Sequence, residues 1–570
     1  MSQLETPSFL APLVLVFVAA LAAAYGLARL RQPPLIGYLV AGALLGPYGL
    51  RLARDVHQVE ALAEVGVVLL LFSVGLEFSL SDLGKLGRFV WGAGPIQVAG
   101  TFLTAAAVLM ILGRGPAQGV FAGFLAALSS TAIALNILID RGEIDSPHGR
   151  FLVGMLVFQD LAVVPMMLLI PALSGDGAGL GPAALALAKT AATAAAVLFA
   201  SRYLVPRVLS AVVATRRKEL FIVAVLVLVL GTALATSAAG LSLALGAFLA
   251  GLVLSESEYG IQTMADIAPF RDAFNALFFV AVGMLFDART LAHQPALVGI
   301  VLLALFALKV FWGGLPVLVY GFGIRVAATV GVSLAQVGEF SFVLVRQGRA
   351  AGLIAEDGYQ IFLAVALLSM LATPLLSEAG HHLGLTLADR LSDRPRRSRR
   401  GDLPAEGHVL VLGFGLTGET LARVLGRAKV PFRVLDLNPD RVARGKGKDV
   451  PIEYGDVTND RVLKHAGLES AVAVLVLLSD PRATRRAVSR CRKHAPGAFV
   501  LARTRYLTEI PQLSALGADE VVAEEFETSL EIANRTLRRL GFPVPWVEAE
   551  ADEIRRRRHE AFGRFRDKAD

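Results

Sequence analysis

Up to about Leu385 the chain is a succession of apolar runs of bilayer length, and beyond that point they stop. A run of about 20 apolar residues spans lipid as a helix, because lipid offers no partner for a bare backbone N–H or C=O. The first two thirds of the chain therefore read as a polytopic all-α membrane domain and the rest as a domain that folds in water. We place about thirteen spans, from Phe9–Leu30 to Tyr359–Leu376. Two closely spaced apolar runs around Gly240 read either as two spans or as one broken helix. The first run, near Phe9, lacks a basic flank and is too long for a signal segment, so it reads as a span.

Charge refines this division. The net charge is +7, and much of it lies in Arg394 to Arg400 and Arg555 to Arg558. Such runs suit positive-inside anchoring and a solvated helix face better than nucleic-acid binding. With an odd number of spans and the soluble part inside, the N-terminus lies outside. Arg29, Arg141, Arg150, Arg207 and Arg216 then fall in inside loops, and outside loops are poorer in basic residues. Cys491 is the only cysteine, which excludes a disulfide within one chain and a cysteine-rich metal site.

An ionisable side chain in lipid costs about 2.5 kcal/mol or more, so those present mark a site. The sixth span carries Gln159-Asp160 at mid-depth. A carboxylate there holds a metal cation or a proton, and holding both is disfavoured, which is the minimal chemistry of exchange. The fifth span carries Ser129-Ser130-Thr131, three hydroxyls that suit a local break whose carbonyls and hydroxyls coordinate a cation. The eleventh carries Lys309, which needs a partner or a route to an interface. The twelfth carries Gln336-Val337-Gly338-Glu339, again an interruption. Paired interruptions in two parts of a transporter point to crossed half-helices at a midplane site.

Ser129-Ser130-Thr131-Ala132, Gln159-Asp160, the run Phe278-Phe279-Val280-Ala281-Val282-Gly283-Met284, Lys309 and Gln336-Val337-Gly338-Glu339-Phe340 resemble the Kef-type monovalent cation:proton antiporters. The resemblance implies an inverted-repeat fold with two discontinuous helices and a core moving against a dimerisation domain. It also implies a homodimer in the bacterial cytoplasmic (inner) membrane, with Asp160 as the shared carboxylate. The expected transport set is Asp160, Gln159, Ser129, Ser130, Thr131, Lys309 and Glu339, with K⁺ or Na⁺ held at Asp160, Gln159, Ser130 and Thr131. Where related electrogenic sodium exchangers have two adjacent aspartates, this chain has Gln159, which takes up no proton at working pH. One carboxylate suits a one-for-one, electroneutral exchange of K⁺ for H⁺, and the weaker field relaxes any preference for Na⁺. Na⁺/H⁺ exchange on the same fold is the alternative.

After a polar connector (386–406), His408-Val409-Leu410-Val411-Leu412 reads as a buried strand. Gly413-Phe414-Gly415-Leu416-Thr417-Gly418 follows it, then a helix, then a strand ending in Asp436 roughly 20 residues on. That placement is the dinucleotide-binding fingerprint: the glycines let backbone approach a pyrophosphate and the helix N-terminus meets it. Asp436 is expected to accept ribose hydroxyls, and Gly455-Asp456 to close over the nucleotide. The region 407–525 resembles the RCK (KTN) regulatory domains of potassium transporters, a Rossmann-like α/β fold. That implies AMP, NAD(H) or another adenine nucleotide as ligand, and gating of the transporter. Glutathione or a cytoplasmic ancillary subunit are further expected partners. The family's acidic inhibitory loop corresponds to 259–270, and Arg503 and Arg505 are candidates for an anionic tripeptide. Residues 526–570 form a charged helical tail.

Two rivals fare worse. An RCK-gated channel needs a carbonyl-lined filter loop, and no TVGYG-like segment occurs. A nicotinamide-linked membrane oxidoreductase needs a second redox centre, and one cysteine excludes a Cys₄ cluster.

Overall fold

The computed structural model describes residues 10–30, 32–52, 56–77, 87, 89–173, 180–239, 242–391 and 407–566. The run Arg394 to Arg400 and most of the expected connector lie outside them. The chain divides into two compact units. The first comprises Met1–Ile137, Phe151–Pro316 and Ala328–His382. The second gathers Leu383–Asp570 together with two short inserts, Leu138–Arg150 and Val317–Ala327.

Helices α1 (Leu10–Arg29), α2 (Pro34–Leu45) and α3 (Val56–Glu77) open the chain, and a π-turn at Phe89–Ala93 leads into α4 (Gly94–Ile111). Then come α5 (Pro116–Ala127), α6 (Thr131–Asp140), α7 (Pro147–Leu173), α8 (Leu180–Val213), α9 (Lys218–Ala238) and α10 (Leu243–Ser255). They are followed by α11 (Gly260–Met284), α12 (Ala288–His293), α13 (Pro295–Val319), α14 (Ile324–Ser333), α15 (Glu339–Ala350) and α16 (Glu356–Leu391). Among the described residues, eight helical stretches are long and apolar enough to cross a membrane, and five shorter apolar helices accompany them.

Two of the expected spans are broken. The chain leaves helical geometry at 128–130, between α5 and α6, and at 334–338, between α14 and α15. The segment 259–270, expected as a loop, is instead almost wholly the first turns of α11. Its Asp266 pairs with Lys218 at 2.8 Å and accepts from Gln262 at 2.8 Å.

Small residues let helices in the first unit approach to backbone contact, as is usual where lipid removes the hydrophobic drive to associate. Helices α2 and α11 cross at Gly42 and Gly283. A Cβ on Gly42 would lie 2.0 Å from the Val280 carbonyl, and one on Gly283 would lie 2.2 Å from that of Leu39.

In the second unit, six strands form a parallel sheet: β1 (His408–Leu412), β2 (Phe432–Asp436), β3 (Ile452–Tyr454), β4 (Ala471–Val476), β5 (Phe499–Thr504) and β6 (Glu520–Ala523). Their order is β3-β2-β1-β4-β5-β6, the doubly wound arrangement in which a ligand crevice opens where the order reverses beside β1. Helices α17 (Leu416–Arg427), α18 (Pro439–Lys446), α19 (Asp460–His465), α20 (Pro481–His494) and α21 (Ile510–Ala515) alternate with the strands. Residues of β1 are all buried, as a central parallel strand covered on both faces requires. Asn438, Asn459 and Asp480 cap α18, α19 and α20 by accepting amides of the first turn. The tail is α22 (Glu524–Arg539) and α23 (Val544–Arg566), with Arg555 paired to Glu527 at 3.0 Å and Arg557 to Glu553 at 2.8 Å.

The glycine crossing makes a specific prediction. Gly42→Ala and Gly283→Ala should each destabilise the protein by about 1–3 kcal/mol through overpacking against backbone. Gly26→Ala, with nothing within 4 Å of its added Cβ, should be neutral or stabilising. Thermal unfolding of purified protein in detergent checks this, and equal midpoints for all three variants would contradict it.

Candidate functional site

A helix that stops inside a membrane leaves its last four carbonyls without partners. The structure satisfies those at the end of α5 one by one. The Leu125 carbonyl accepts from Ser341 Oγ at 3.1 Å. The Ala126 carbonyl accepts from Lys309 Nζ at 3.0 Å. That of Ala127 accepts from Gln97 Nε2 at 3.3 Å. That of Leu128 accepts from Lys309 Nζ at 2.5 Å and from the Gly338 amide at 3.1 Å. Lys309 is fully buried, so it caps a helix C-terminus and does not reach toward an interface.

The second break crosses the first at contact distance. Ser129 Oγ donates to the Leu334 carbonyl at 2.9 Å, and Gln336 Nε2 donates to that of Ser130 at 3.3 Å. A Cβ on Gly338 would lie 2.8 Å from the Ser129 carbonyl, so a larger residue would force the two breaks apart. Glu339 opens α15 and accepts the Ala132 amide at 3.4 Å, placing an acid at the positive end of α6 as well as of its own helix. Two buried oxygens at this crossing, Gln336 Oε1 and Glu339 Oε2, have no hydrogen-bond partner among the described residues.

Adjacent positions on α7 have different surroundings. Gln159 is fully buried. Its oxygen accepts the Ser129 amide at 2.6 Å, and its amide donates to Gln97 Oε1 at 2.7 Å. Asp160 is only part-buried, and Thr131 Oγ1 lies 3.1 Å from both carboxylate oxygens. Thr131 opens α6, so the carboxylate faces a helix end that favours an anion. The crossing thus brings together Ser129, Ser130, Thr131, Gln159, Asp160, Lys309 and Glu339. Reasoning from sequence missed Gln97, although a glutamine inside the apolar run Phe89–Leu112 was a legible signal of the same kind.

In the second unit, a cavity of about 290 Å³ opens at the carboxyl ends of the strands, lined by Gly413, Gly415, Asp436, Asp456 and Asp480 among others. Gly413 has φ +109°, a conformation in which other residues are strained. A Cβ on Gly418 would lie 2.1 Å from the Gly413 carbonyl, so the third glycine permits close packing of α17 on the loop. Gly415 caps α17, and a Cβ there would find only Arg441 Nη1, at 3.7 Å. Asp436 accepts the Phe414 amide at 2.5 Å and the Asn438 amide at 2.6 Å. It therefore holds the glycine loop in place, with Arg441 at 3.6 Å.

Asp456 accepts from the Thr458 amide at 2.9 Å and hydroxyl at 2.7 Å, and pairs with Arg325 Nε at 2.7 Å. Burial alone would raise its pKa, but the Arg325 charge and the Thr458 hydrogen bonds outweigh burial and hold the carboxyl below the usual carboxylate range. A lowered folded-state value means that the pair's stabilisation is present above the unfolded pKa and is lost as pH falls through the folded one. Arg503 pairs with Glu524 at 2.5 Å and Arg505 with Asp145 at 3.3 Å. Cys491 is buried, which pushes its thiol up to about 12 and leaves it unreactive at neutral pH.

The sodium/hydrogen exchanger transmembrane family matches residues 14–378, and the TrkA-N domain matches 409–524. "K(+) efflux antiporter 2, chloroplastic" of Arabidopsis thaliana is 37% identical over 92% of this chain and 45% of its own length. The chain thus spans under half the length of that plant relative. The "Glutathione-regulated potassium-efflux system protein KefC" of Klebsiella pneumoniae is 34% identical over 93% of this chain and 84% of its own. Among solved structures, the sodium proton antiporter MjNhaP1 of Methanocaldococcus jannaschii aligns with a TM-score of 0.50 at 16% identity, covering 66% of this chain and 97% of that one. That likeness is one of fold.

If Lys309 holds the end of α5, Lys309→Met should destabilise the protein by about 1–3 kcal/mol for each carbonyl left unpaired. The midpoint of thermal unfolding in detergent reports this. An unchanged midpoint would mean that the Ala126 carbonyl finds another partner, since that of Leu128 keeps the Gly338 amide.

Proposed function

Starting from the chain's membership of the sodium/hydrogen exchanger family, we propose that it is a K⁺/H⁺ antiporter working by alternating access around Asp160 and gated by a nucleotide in its C-terminal unit. The observation that carries this reading is the pair Gln159 and Asp160. Gln159 is tied into the crossing by both ends of its amide, and the part-buried Asp160 is the carboxylate left to exchange its occupant. Glu339 at the same crossing is buried, so Asp160 is the one part-buried carboxylate there; a single accessible carboxylate suits one cation for one proton, hence electroneutral exchange driven by the two chemical gradients. A cation at Asp160 has Thr131 Oγ1 beside it, and a site with a single charge holds a large, weakly hydrated ion with less disadvantage than a site with two. One similar protein is named a K⁺ efflux antiporter and another a potassium-efflux system protein, which supports K⁺ over Na⁺. Assembly as a homodimer in a bacterial inner membrane, with the C-terminal unit in the cytoplasm, follows from the family resemblance. Glutathione as a further effector has the weaker support, since Arg503 and Arg505 already have acidic partners.

The crevice at the glycine loop has the parts an adenine nucleotide needs. Backbone at Gly413 and Gly415 can approach phosphates, the N-terminus of α17 offers unpaired amides, and Asp456 is an acceptor for a ribose or amine group. The site's acid favours AMP or NAD(H) over a 2′-phosphorylated cofactor.

In proteoliposomes with an internal pH dye, wild-type protein should move protons in response to K⁺. Asp160→Asn should abolish that flux while AMP binding persists. Exchange that follows Na⁺ and ignores K⁺ would refute the choice of ion. Gly415→Asp should fold, since its side chain enters open space, and should lose AMP binding and nucleotide control because a carboxylate then occupies the phosphate position. Wild-type AMP affinity in that variant would contradict the placement of the nucleotide.

A further inference from the structure

Arg325 is the second residue of α14, and its side chain belongs to the wall of the nucleotide crevice. Its Nε donates to Asp456 Oδ2 at 2.7 Å, and its Nη1 lies 3.5 Å from Asp480 Oδ2. Asp456 follows β3 and Asp480 follows β4, with β2 and β1 between those strands in the sheet. One guanidinium thus bridges both rims of the crevice. The two carboxylates are held rigidly behind it. Asp456 Oδ1 accepts from Thr458, while Asp480 Oδ1 accepts the Arg482 amide at 2.9 Å and the Ala483 amide at 3.0 Å. Arg325 is 6% exposed and Asp480 4%. A buried and a part-buried acid facing one crevice repel each other without that cation.

The helix carrying Arg325 is continuous for 10 residues and ends at Ser333, directly before the break at 334–338. The other insert in this unit shows a parallel arrangement. Glu143 is buried, with Arg482 Nε at 3.1 Å from one oxygen and His148 Nε2 at 3.0 Å from the other. It lies just beyond α6, the half-helix that begins at the first break. Two of the four half-helices at the crossing, α6 and α14, therefore have their other ends in the unit that contains the sheet.

We propose that Arg325 is the residue through which nucleotide occupancy and ion-site occupancy change each other. A ribose hydroxyl or adenine amine that takes Asp456 Oδ2 displaces the Arg325 Nε, and the first turn of α14 loses its anchor. The helix then settles differently, and the break at its far end settles with it. Thermodynamic reciprocity requires the converse: a cation that favours one arrangement of the break changes the affinity of the crevice for nucleotide. This rests on the reading that the crevice binds an adenine nucleotide and that the crossing holds the ion.

The test measures AMP binding to full-length protein in detergent by calorimetry, in saturating KCl and in N-methyl-D-glucamine chloride of equal ionic strength. For wild type the two dissociation constants should differ by about 5-fold or more, the lower range of allosteric couplings. In Arg325→Gln the ratio should fall to about one. Arg325→Lys, which keeps the charge but loses the bridge, should give an intermediate ratio. Asp480→Asn keeps the cap on α20, since asparagine caps as well as aspartate, and should also lower the ratio. It carries the test should Arg325→Gln lose AMP altogether. A merely structural Arg325 would lower the melting temperature and leave the ratio untouched, so a wild-type ratio in a folded Arg325→Gln overturns the proposal. Wild type that binds AMP with no dependence on K⁺ also overturns it and spares the nucleotide reading. Wild type that binds no AMP removes both.

Discussion

The membrane unit depends on the pairing of four carbonyls at the end of α5. Lipid supplies no water to an unfinished helix, so a broken span is tolerable only where protein donors meet every freed group. Here the donors come from four separate elements: Gln97 on α4, Lys309 on α13, the Gly338 amide at the opposite break and Ser341 on α15. That requirement fixes how closely the two breaks cross, and the crossing in turn brings the Ser129 amide to Gln159. Once Gln159 is tied there, its neighbour Asp160 has no freedom to occupy the same contact. Successive helical residues point about 100° apart, so the amide faces the crossing and the carboxylate faces Thr131.

The second unit solves a different problem with a similar economy of charge. A parallel sheet leaves the carboxyl ends of its strands pointing at one crevice, and acids gather there because loop amides and helix N-termini need acceptors. Asp436 holds the glycine loop, Asp480 caps α20, and Asp456 closes the turn after β3. Each acid therefore has a structural task before any ligand arrives. The negative charge gathered there is offset by Arg325 and Arg441, whose guanidinium groups reach the Oδ2 atoms of all three.

Much of this was legible in the sequence, and what was not has a common cause. Hydroxyls and glycine inside apolar runs announced both breaks, because a local interruption of helix leaves a local mark. The glycine fingerprint and Asp436 announced the crevice for the same reason. The partners of the broken backbone are separated from it by long stretches of chain, as with Lys309 and Ala126, and no local pattern encodes such a pairing. Lys309 was visible as an oddity, but its acceptors were not. Gln97 carried a weak signal, a lone polar residue in an apolar span. Arg325 carried none, since an arginine at the edge of a span looks like an interfacial anchor. The segment 259–270 was expected as a loop through family resemblance, yet it is almost wholly helical, and its Asp266 is engaged by Lys218 and Gln262.

Polar side chains in this chain fall into those that hold and those left with room to change partner, and burial separates the two. Lys309, Gln159 and Asp480 are nearly or wholly inaccessible, with their polar atoms committed to backbone, to Gln97 or to Arg325. Removing any of them leaves a desolvated group without a partner, the expensive case for buried polar atoms. Asp160 differs because part of its surface stays open and its contact with Thr131 is to a hydroxyl, which rotates to donate to an anion or to lend its oxygen to a cation. A group that must alternate between occupants needs neighbours that serve either state, and among the polar side chains packed at the crossing a hydroxyl meets that need where a lysine cannot.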